Sequence, residues 1–349
     1  MITVVIPTIG RPTLTATLAA LDPETDVIVV DDRPDPLPAA GDGPAAAQAL
    51  EALETPASAP GGPPFTGPAS LGTDADVLTA AAAAGGRVTV LRSGGRGPAA
   101  ARNTGWRAAA TPWVVFLDDD VIPEPGWDKA VRADLEDLPA DVGGSQGRIE
   151  VPLPAGRRPT DAERNTAGLA DADWITADMA YRREALERTG GFDERFPRAY
   201  REDADLALRV QAAGYRLVKG ERVTRHPVRD DGFWASVRFQ RGNADDALMR
   251  RLYGPGWRGL LGGALGQRRR HAVVTACGLL AAGAALAGRR RTAGAAAAAW
   301  ALLTAEFAWA RIAPGPRTPE EIWRMAVTSA VIPPVACAHR LRGELRVRR

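Results

Sequence analysis

Apolar residues in the first third of the chain fall in short runs that end in polar or acidic positions. Met1-Ile-Thr-Val-Val-Ile-Pro-Thr8 has the length and apolar density of a buried strand. After it, Pro12 suits the first turn of a helix, and Leu14, Leu18 and Leu21 recur at helical spacing. Asp26-Val-Ile-Val-Val-Asp-Asp32 reads as a second strand that ends in Asp31 and Asp32. Residues 71–84 have a helical composition, and Arg87-Val-Thr-Val-Leu91 reads as a third strand. Pro98 then opens a helix, and Trp113-Val-Val-Phe-Leu-Asp-Asp-Asp-Val121 reads as a strand that runs into Asp118, Asp119 and Asp120. Strands alternating with helices predict an α/β fold of parallel βαβ units with right-handed crossovers.

Two of these strands end in carboxylates, and ligands of open α/β sheets bind at the carboxyl ends of strands. A carboxylate pair there can hold a hard divalent cation, and the cation can hold a diphosphate. An acidic, solvated turn is the structural alternative. No Gly-x-Gly-x-x-Gly follows the first strand; the turn is Pro7-Thr-Ile-Gly-Arg-Pro12, which excludes the usual dinucleotide fold. Pro7, Thr8 and Arg11 are expected to line the same crevice.

Six segments, in order, carry a resemblance: Val5-Ile-Pro-Thr8, Val29-Val-Asp-Asp32, Gly97-Pro-Ala-Ala-Ala-Arg-Asn-Thr-Gly105, Leu117-Asp-Asp-Asp-Val121, Gly190-Gly-Phe-Asp-Glu-Arg-Phe196 and Arg201-Glu-Asp-Ala-Asp-Leu-Ala-Leu-Arg209. Over roughly residues 1–230 the chain resembles glycosyltransferase family 2. The resemblance implies a GT-A fold, a nucleotide-diphosphate sugar donor, a divalent metal and inversion at the anomeric carbon. It further implies that Asp118 and Asp120 hold Mn²⁺ or Mg²⁺, with Asp119 at the ribose or sugar. Which two of the three bind the metal stays open. Asp31 and Asp32 correspond to carboxylates at the nucleoside, and Arg102 to a residue at the nucleotide. His226 corresponds to a histidine near the metal and diphosphate. Asp203 matches the family's base, with Glu202 orienting it or the acceptor. Each has a plainer reading: Asp203 as a helix N-cap, Asp31 and Asp32 as a strand-end turn, Arg102 as a helix surface charge and His226 as a lone surface histidine. Trp174 and Tyr181 are candidates for stacking on a sugar, or for the core. The acceptor is expected to be a glycan or a lipid-linked group in cell-envelope glycan or glycoconjugate synthesis, and the transferred group a hexosyl or deoxyhexosyl unit.

A chain of 349 residues with 45% hydrophobic residues can hold one large or two smaller domains. Net charge is +2 but uneven: residues 268–349 carry 14 Arg against 4 Asp or Glu, so the rest of the chain is net acidic. Arg outnumbers Lys 42 to 2 and Ala is abundant, the mark of a GC-rich bacterial genome. Residues 33–68 are rich in Pro, Gly and Ala and predict a disordered insertion. Residues 150–172, with Pro152, Pro154 and Pro159, predict a loop near the active site. Residues 231–267 are expected to form a helical extension. The basic tail after 268 carries weakly apolar segments at 271–288, 292–310 and 325–338, and arginine clusters bracket the first. It reads either as a helical subdomain with small-residue packing or as an anchor to an anionic membrane surface. Cys277 and Cys337, both in the tail, form no disulfide framework, and the N-terminus has no basic leader. A cytoplasmic protein at the inner face of the plasma membrane is expected. Nucleic acid is a poor partner for an acidic body. Two other classes remain: a nucleotidyltransferase, which lacks its glycine-rich loop and reactive lysine here, and a sugar-nucleotide-binding scaffold.

Overall fold

A computed structural model gives the structure, which describes residues 1–34, 74–84, 87–262 and 266–348. Apart from Arg33 and Pro34, the expected insertion lies outside the described residues. The body is built on strands β1 (Ile2–Thr8), β2 (Asp26–Asp31), β3 (Val88–Arg92), β4 (Trp113–Leu117), β5 (Ile122–Pro123), β6 (Val142–Glu150), β7 (Asp178–Arg182) and β8 (Arg216–Arg225). They form one sheet in the order β3-β2-β1-β4-β7-β6-β8-β5. The first four neighbours are parallel, with Val4 opposite both Val27 and Val115. From β7 the sheet turns mixed: β7 runs antiparallel to β4 and β6, and β5 antiparallel to β8.

Side chains alternate across the pleat, so the two sheet faces bury different sets. Val4, Ile6, Val29 and Val115 face α1 (Leu14–Ala19), where Leu14 and Leu18 are buried. The helix α2 (Asp74–Ala84) covers the same side through Val77 and Ala80. Val5, Val30, Val114 and Phe116 face α3 (Pro98–Ala108), through Ala101 and Trp106. Gly105 lets α3 lie close on the sheet, since a Cβ there would collide with Val5 Cγ1. Strands buried on both faces need apolar side chains throughout, which is why these runs were legible in the sequence.

As expected, the apolar run from Trp113 is a strand that ends at Leu117 and presents Asp118–Asp120, here in a turn; the chain then pairs Ile122 with Arg225 of β8. Two expectations are corrected. The expected loop over 150–172 holds a helix, α5 (Asp161–Ala167), after α4 (Trp127–Leu135). Thr160 and Glu163 close a reciprocal capping box at its start. Pro12 precedes the α1 N-cap, Thr13, rather than opening the helix.

The helices α6 (Arg183–Thr189) and α7 (Glu202–Ala212) lead to a run of short helices that includes α8 (Ala235–Arg238) and α9 (Asp245–Tyr253). The tail is helical: α10 (Arg268–Leu286), α11 (Arg290–Ile312) and α12 (Pro319–Arg348), the last containing Pro333 and Pro334. It is bolted to the body at two places. Arg311 pairs with Asp161 at 2.7 Å, and Arg346 donates to the Arg195 carbonyl at 3.1 Å.

Candidate active site

The parallel strands β1, β2 and β4 deliver Thr8, Asp31, Asp32 and Asp118–Asp120 to one sheet edge, their carboxyl ends. Asp119 is 2% exposed and accepts hydrogen bonds from Thr8 Oγ1 and Arg11 Nη1, both at 2.6 Å. Burial raises its pKa more than these two partners lower it. Pro7 and Thr8 lie within β1, both buried. The structure thus brings Thr8, Arg11 and Asp119 into direct contact.

Asp31 and Asp32 do different work. Asp31 takes hydrogen bonds from Arg33 Nε and Nη2 at 2.9 and 2.6 Å. Burial opposes its charge, but the Arg33 hydrogen bonds prevail and hold it below the usual carboxylate range. Asp32 accepts from Ser93 Oγ at 2.7 Å and from the Gly97 N–H at 2.9 Å. It fastens the start of α3 to the sheet edge.

Asp120 is the other pole. Its Oδ1 lies 3.8 Å from His226 Nε2, and its Oδ2 lies 2.7 Å from Arg229 Nη1 and 3.7 Å from Arg11 Nη1. The pairing of β5 with β8 makes this proximity, because it carries the residue after Arg225 back beside the aspartate turn. His226 Nδ1 lies 3.1 Å from the Pro227 carbonyl, which leaves Nε2 toward Asp120. Asp118 is engaged by another partner: its Oδ1 lies 2.8 Å from Arg102 Nη2. Among the described residues, no group of three or more His, Cys, Asp and Glu is gathered closely enough to hold a metal ion. One carboxylate and one imidazole do fit a divalent cation whose remaining ligands are phosphate oxygens and water.

Arg102, expected at the nucleotide, is enclosed instead. Its side chain is 2% exposed and bridges Asp118 to Glu202 Oε1, at 2.8 Å each. It couples the end of β4 to the start of α7, and its Nε and Glu202 Oε2 are buried without partners. Asn103, beside it, holds the Gly190–Phe196 turn through the Phe192 N–H and carbonyl, both at 2.9 Å. Gly191 in that turn has φ 75°, and a Cβ there would run into Asn103 and Trp106.

Glu202 and Asp203 occupy the first turn of α7. The helix begins at Glu202, so the N-cap is Arg201, and Asp203 is not the cap. Asp203 Oδ1 accepts from the adjacent Ala204 N–H at 2.7 Å. Glu202 is buried; Asp203 is half-buried and the more accessible of the two. Burial and the neighbouring Asp203 charge push the Glu202 carboxyl up to about 8, against the pull of Arg102. Burial raises Asp203 as well, over the opposing Ala204 hydrogen bond and the Arg102 charge. The pair retains a proton where an ordinary carboxyl has lost it, which suits proton transfer near neutral pH.

Two groups escaped sequence reasoning. Arg229 stands three residues beyond His226, and its link to Asp120 depends on the β5–β8 pairing. Arg201 has φ 79°, unusual for a non-glycine residue. It is held by Asp246 at 3.0 Å and by the Tyr200 hydroxyl at 2.7 Å, and its guanidinium lies over Trp257. Arg198 pairs with Asp245 through two hydrogen bonds of 2.9 Å. The helical extension therefore fixes the turn that presents Glu202 and Asp203. Tyr181 belongs to the core, fully buried against Phe116, and is unavailable to a sugar. Trp174 is partly buried, with Lys219 Nζ 5.3 Å from its ring.

Comparisons with known proteins bear on the family and the fold. Residues 72–195 match the family model of glycosyl transferase family 2. A pre-mycofactocin glycosyltransferase of Mycobacterium tuberculosis is 32% identical over 133 residues, which are 35% of this chain and 28% of that protein. The chain thus spans little more than a quarter of that relative's length. Among solved structures, the mannosyltransferase PcManGT from Pyrobaculum calidifontis, in complex with GDP-Man and Mn²⁺, aligns with a TM-score of 0.50 at 19% identity, over 97% of this chain and 86% of that one. Glucosyl-3-phosphoglycerate synthase from Mycobacterium tuberculosis aligns with a TM-score of 0.43 at 16% identity, over 76% and 81% of the two chains. The mixed α/β sheet with its flanking helices is a GT-A fold, followed here by a helical C-terminal region.

Proposed function

We propose that the chain, whose residues 72–195 match the family model of glycosyl transferase family 2, is an inverting, metal-assisted glycosyltransferase that uses a nucleotide-diphosphate sugar. The observation that carries this reading is the meeting of two carboxylate centres at one sheet edge. Asp120 stands with His226 and two guanidinium groups, and the Glu202–Asp203 pair is joined to the same aspartate turn through Arg102.

In this reading Asp31 and Asp32 receive the nucleoside, and Thr8, Arg11 and Asp119 form the floor beneath the ribose and sugar. Asp120 and His226 would hold Mn²⁺ or Mg²⁺, which would supply positive charge at the diphosphate. Arg229 and Arg11 add fixed positive charge at the same place. Asp203 accepts the proton of the acceptor hydroxyl. The acceptor oxygen bonds to the anomeric carbon as the carbon–oxygen bond to the diphosphate breaks, and the nucleoside diphosphate leaves. Attack opposite the leaving group inverts the anomeric centre. Arg102 and Glu202 are positioning residues: they hold the base and tune its proton affinity. The transferred unit is a hexosyl or deoxyhexosyl group, and the acceptor a glycan or lipid-linked hydroxyl of cell-envelope or glycoconjugate synthesis.

The test is a panel of UDP-, GDP- and dTDP-sugars, GDP-mannose among them, with and without Mn²⁺, scored for each product. Metal-dependent release of nucleoside diphosphate is expected. Release of pyrophosphate would instead identify a nucleotidyltransferase, and tight binding without turnover a scaffold.

A further inference from the structure

The outer faces of α10 and α11 break the ordinary rule for surface helices, whose solvent side is polar. Every exposed position of α10 from 272 to 287 is Ala, Gly, Val or Leu. Leu279 and Leu286 are 71% and 91% exposed. The exposed positions of α11 from 294 to 310 are Gly, Ala, Leu302 and Trp309, with Glu306 the one charged residue. Arg270, at the start of α10, lies 3.1 Å from Glu306 and offsets that charge. The two helices pack side by side, and their inner faces are already occupied: Val274 and Ala284 of α10 and Phe307, Ala308 and Ile312 of α11 are buried. The outer surface therefore has no partner within the described residues, and its extent exceeds the scattered apolar exposure normal for a soluble protein.

Arginines mark both ends of this surface: Arg268–Arg270 at its base and Arg289–Arg291 at the turn between the helices. We propose that the α10–α11 hairpin lies flat in the headgroup region of an anionic lipid bilayer, with its apolar faces sunk toward the acyl chains and both arginine clusters on phosphates of one leaflet. Charge complementarity selects an anionic surface. Three observations favour lying flat over spanning. Among the described residues, only α11 is long and apolar enough to cross a membrane, and a hairpin needs two such helices. A spanning hairpin would carry Arg289–Arg291 to the far leaflet, against the bias that keeps basic residues on the cytoplasmic side. Third, Trp309 on α11 and Trp323 on α12 are 59% and 66% exposed, and tryptophan favours the interface over the hydrocarbon centre. The Arg311–Asp161 pair ties the hairpin to α5, so docking would orient the catalytic body above the lipid.

The test uses the full chain and sealed vesicles added from outside, made of phosphatidylglycerol with phosphatidylcholine or of phosphatidylcholine alone. Co-flotation with the anionic vesicles is expected, and it should weaken as salt rises. Leu279→Ser with Leu286→Ser and Leu302→Ser should abolish flotation while the melting temperature holds, since all three side chains are exposed. Changing Arg289, Arg290 and Arg291 to Gln should weaken binding to anionic vesicles on the order of a hundredfold, since each arginine near such a surface contributes a factor of about five. In a Cys277→Ala, Cys337→Ala background, Thr292→Cys, exposed beside the Arg289–Arg291 cluster at the headgroups, should react with a membrane-impermeant maleimide while bound. Protection of that cysteine until detergent is added would overturn the flat arrangement in favour of a spanning one. Failure to float would overturn lipid docking, as would a concentration-dependent dimer that ignores vesicles and is dissolved by the leucine changes.

Discussion

Removing the Arg222 guanidinium should cost this protein more stability than any surface change, because of what Arg222 leaves behind. Its side chain is fully buried and donates from Nε to Asp178 at 2.7 Å, from Nη1 to Asp134 at 3.0 Å and to Ser145 Oγ at 3.1 Å, and from Nη2 to the Ser145 carbonyl at 2.6 Å. Asp178 is equally enclosed and also accepts from Trp127 Nε1 at 2.7 Å and Thr224 Oγ1 at 2.6 Å. Arg222→Met fills the volume but strands a buried carboxylate with only neutral donors. Losing one partner of a buried, hydrogen-bonded ion pair costs about 3–5 kcal/mol, a large share of a total stability of roughly 5–15 kcal/mol. Arg222→Lys restores charge without the fork and should recover part of the loss. Arg222→Met with Asp178→Asn removes both charges, the amide oxygen still accepts from Trp127 Nε1 and Thr224 Oγ1, and Asp134 keeps the Glu221 and Arg222 backbone N–H groups. The double variant should therefore be more stable than Arg222→Met alone. Denaturation in urea, followed by far-ultraviolet circular dichroism, reads all three. A loss below about 1 kcal/mol for Arg222→Met, or a double variant as weak as the sum of its singles, would refute the reasoning. The network also has a functional reach, because Thr224 lies two residues before His226. Arg222→Met should accordingly weaken metal-dependent donor binding even where the protein remains folded.

Asp120→Ala should abolish the Mn²⁺-dependent part of nucleoside diphosphate binding in calorimetry; unchanged metal-dependent affinity would move the metal elsewhere. The acid limb of kcat/KM should lie above the ordinary carboxylate range, because the base works only when ionised and burial raises the Glu202–Asp203 pair. The same shift has the opposite sign for stability: its favourable contribution is full below the ordinary carboxylate pKa and is lost as pH rises through the raised one. Melting temperature should therefore respond to pH less in Glu202→Gln than in the parent protein above neutrality, and equal slopes would count against a raised pair. Gly191→Ala should destabilise by about 1–3 kcal/mol, since φ is positive and there is no room for a Cβ; a neutral result in thermal melts would show that the turn can move.

Much of the parallel half of the sheet could be read from the chain because its strands are buried on both faces. Val4, Val5 and Ile6 have no polar interruption, and turn residues bound each run. The carboxylates that close β2 and β4 were legible for the same reason. Their partners were not. His226 and Arg229 reach Asp120 only through the short β5–β8 pairing, whose two residues, Ile122 and Pro123, carry no strand signal of their own. Arg102 read as a nucleotide contact from its place in a motif, but burial between Asp118 and Glu202 is a tertiary fact that no local pattern encodes. The Asp203 cap reading failed by two residues: Arg201, in a left-handed conformation, takes the cap position, and the helix begins before the first apolar residue. The tail's helices were visible as apolar segments, whereas their attachment to the body rests on Arg311 and Arg346, which look like any other arginine in a sequence that has 42.

The central claim is that Asp203 is the base of a glycosyl transfer and does not itself hold the donor or the metal. Asp203→Asn tests it on one protein. The amide keeps the oxygen that accepts from the Ala204 N–H and carries no charge in a site where burial disfavours one, so the fold should hold and the melting temperature should not fall. Transfer to acceptor, measured as kcat, should drop by roughly 10²-fold or more, while binding of donor and Mn²⁺ persists, because Asp120 and His226 are untouched. A near-normal kcat with unchanged donor affinity would contradict the account and return the proton to another carboxylate.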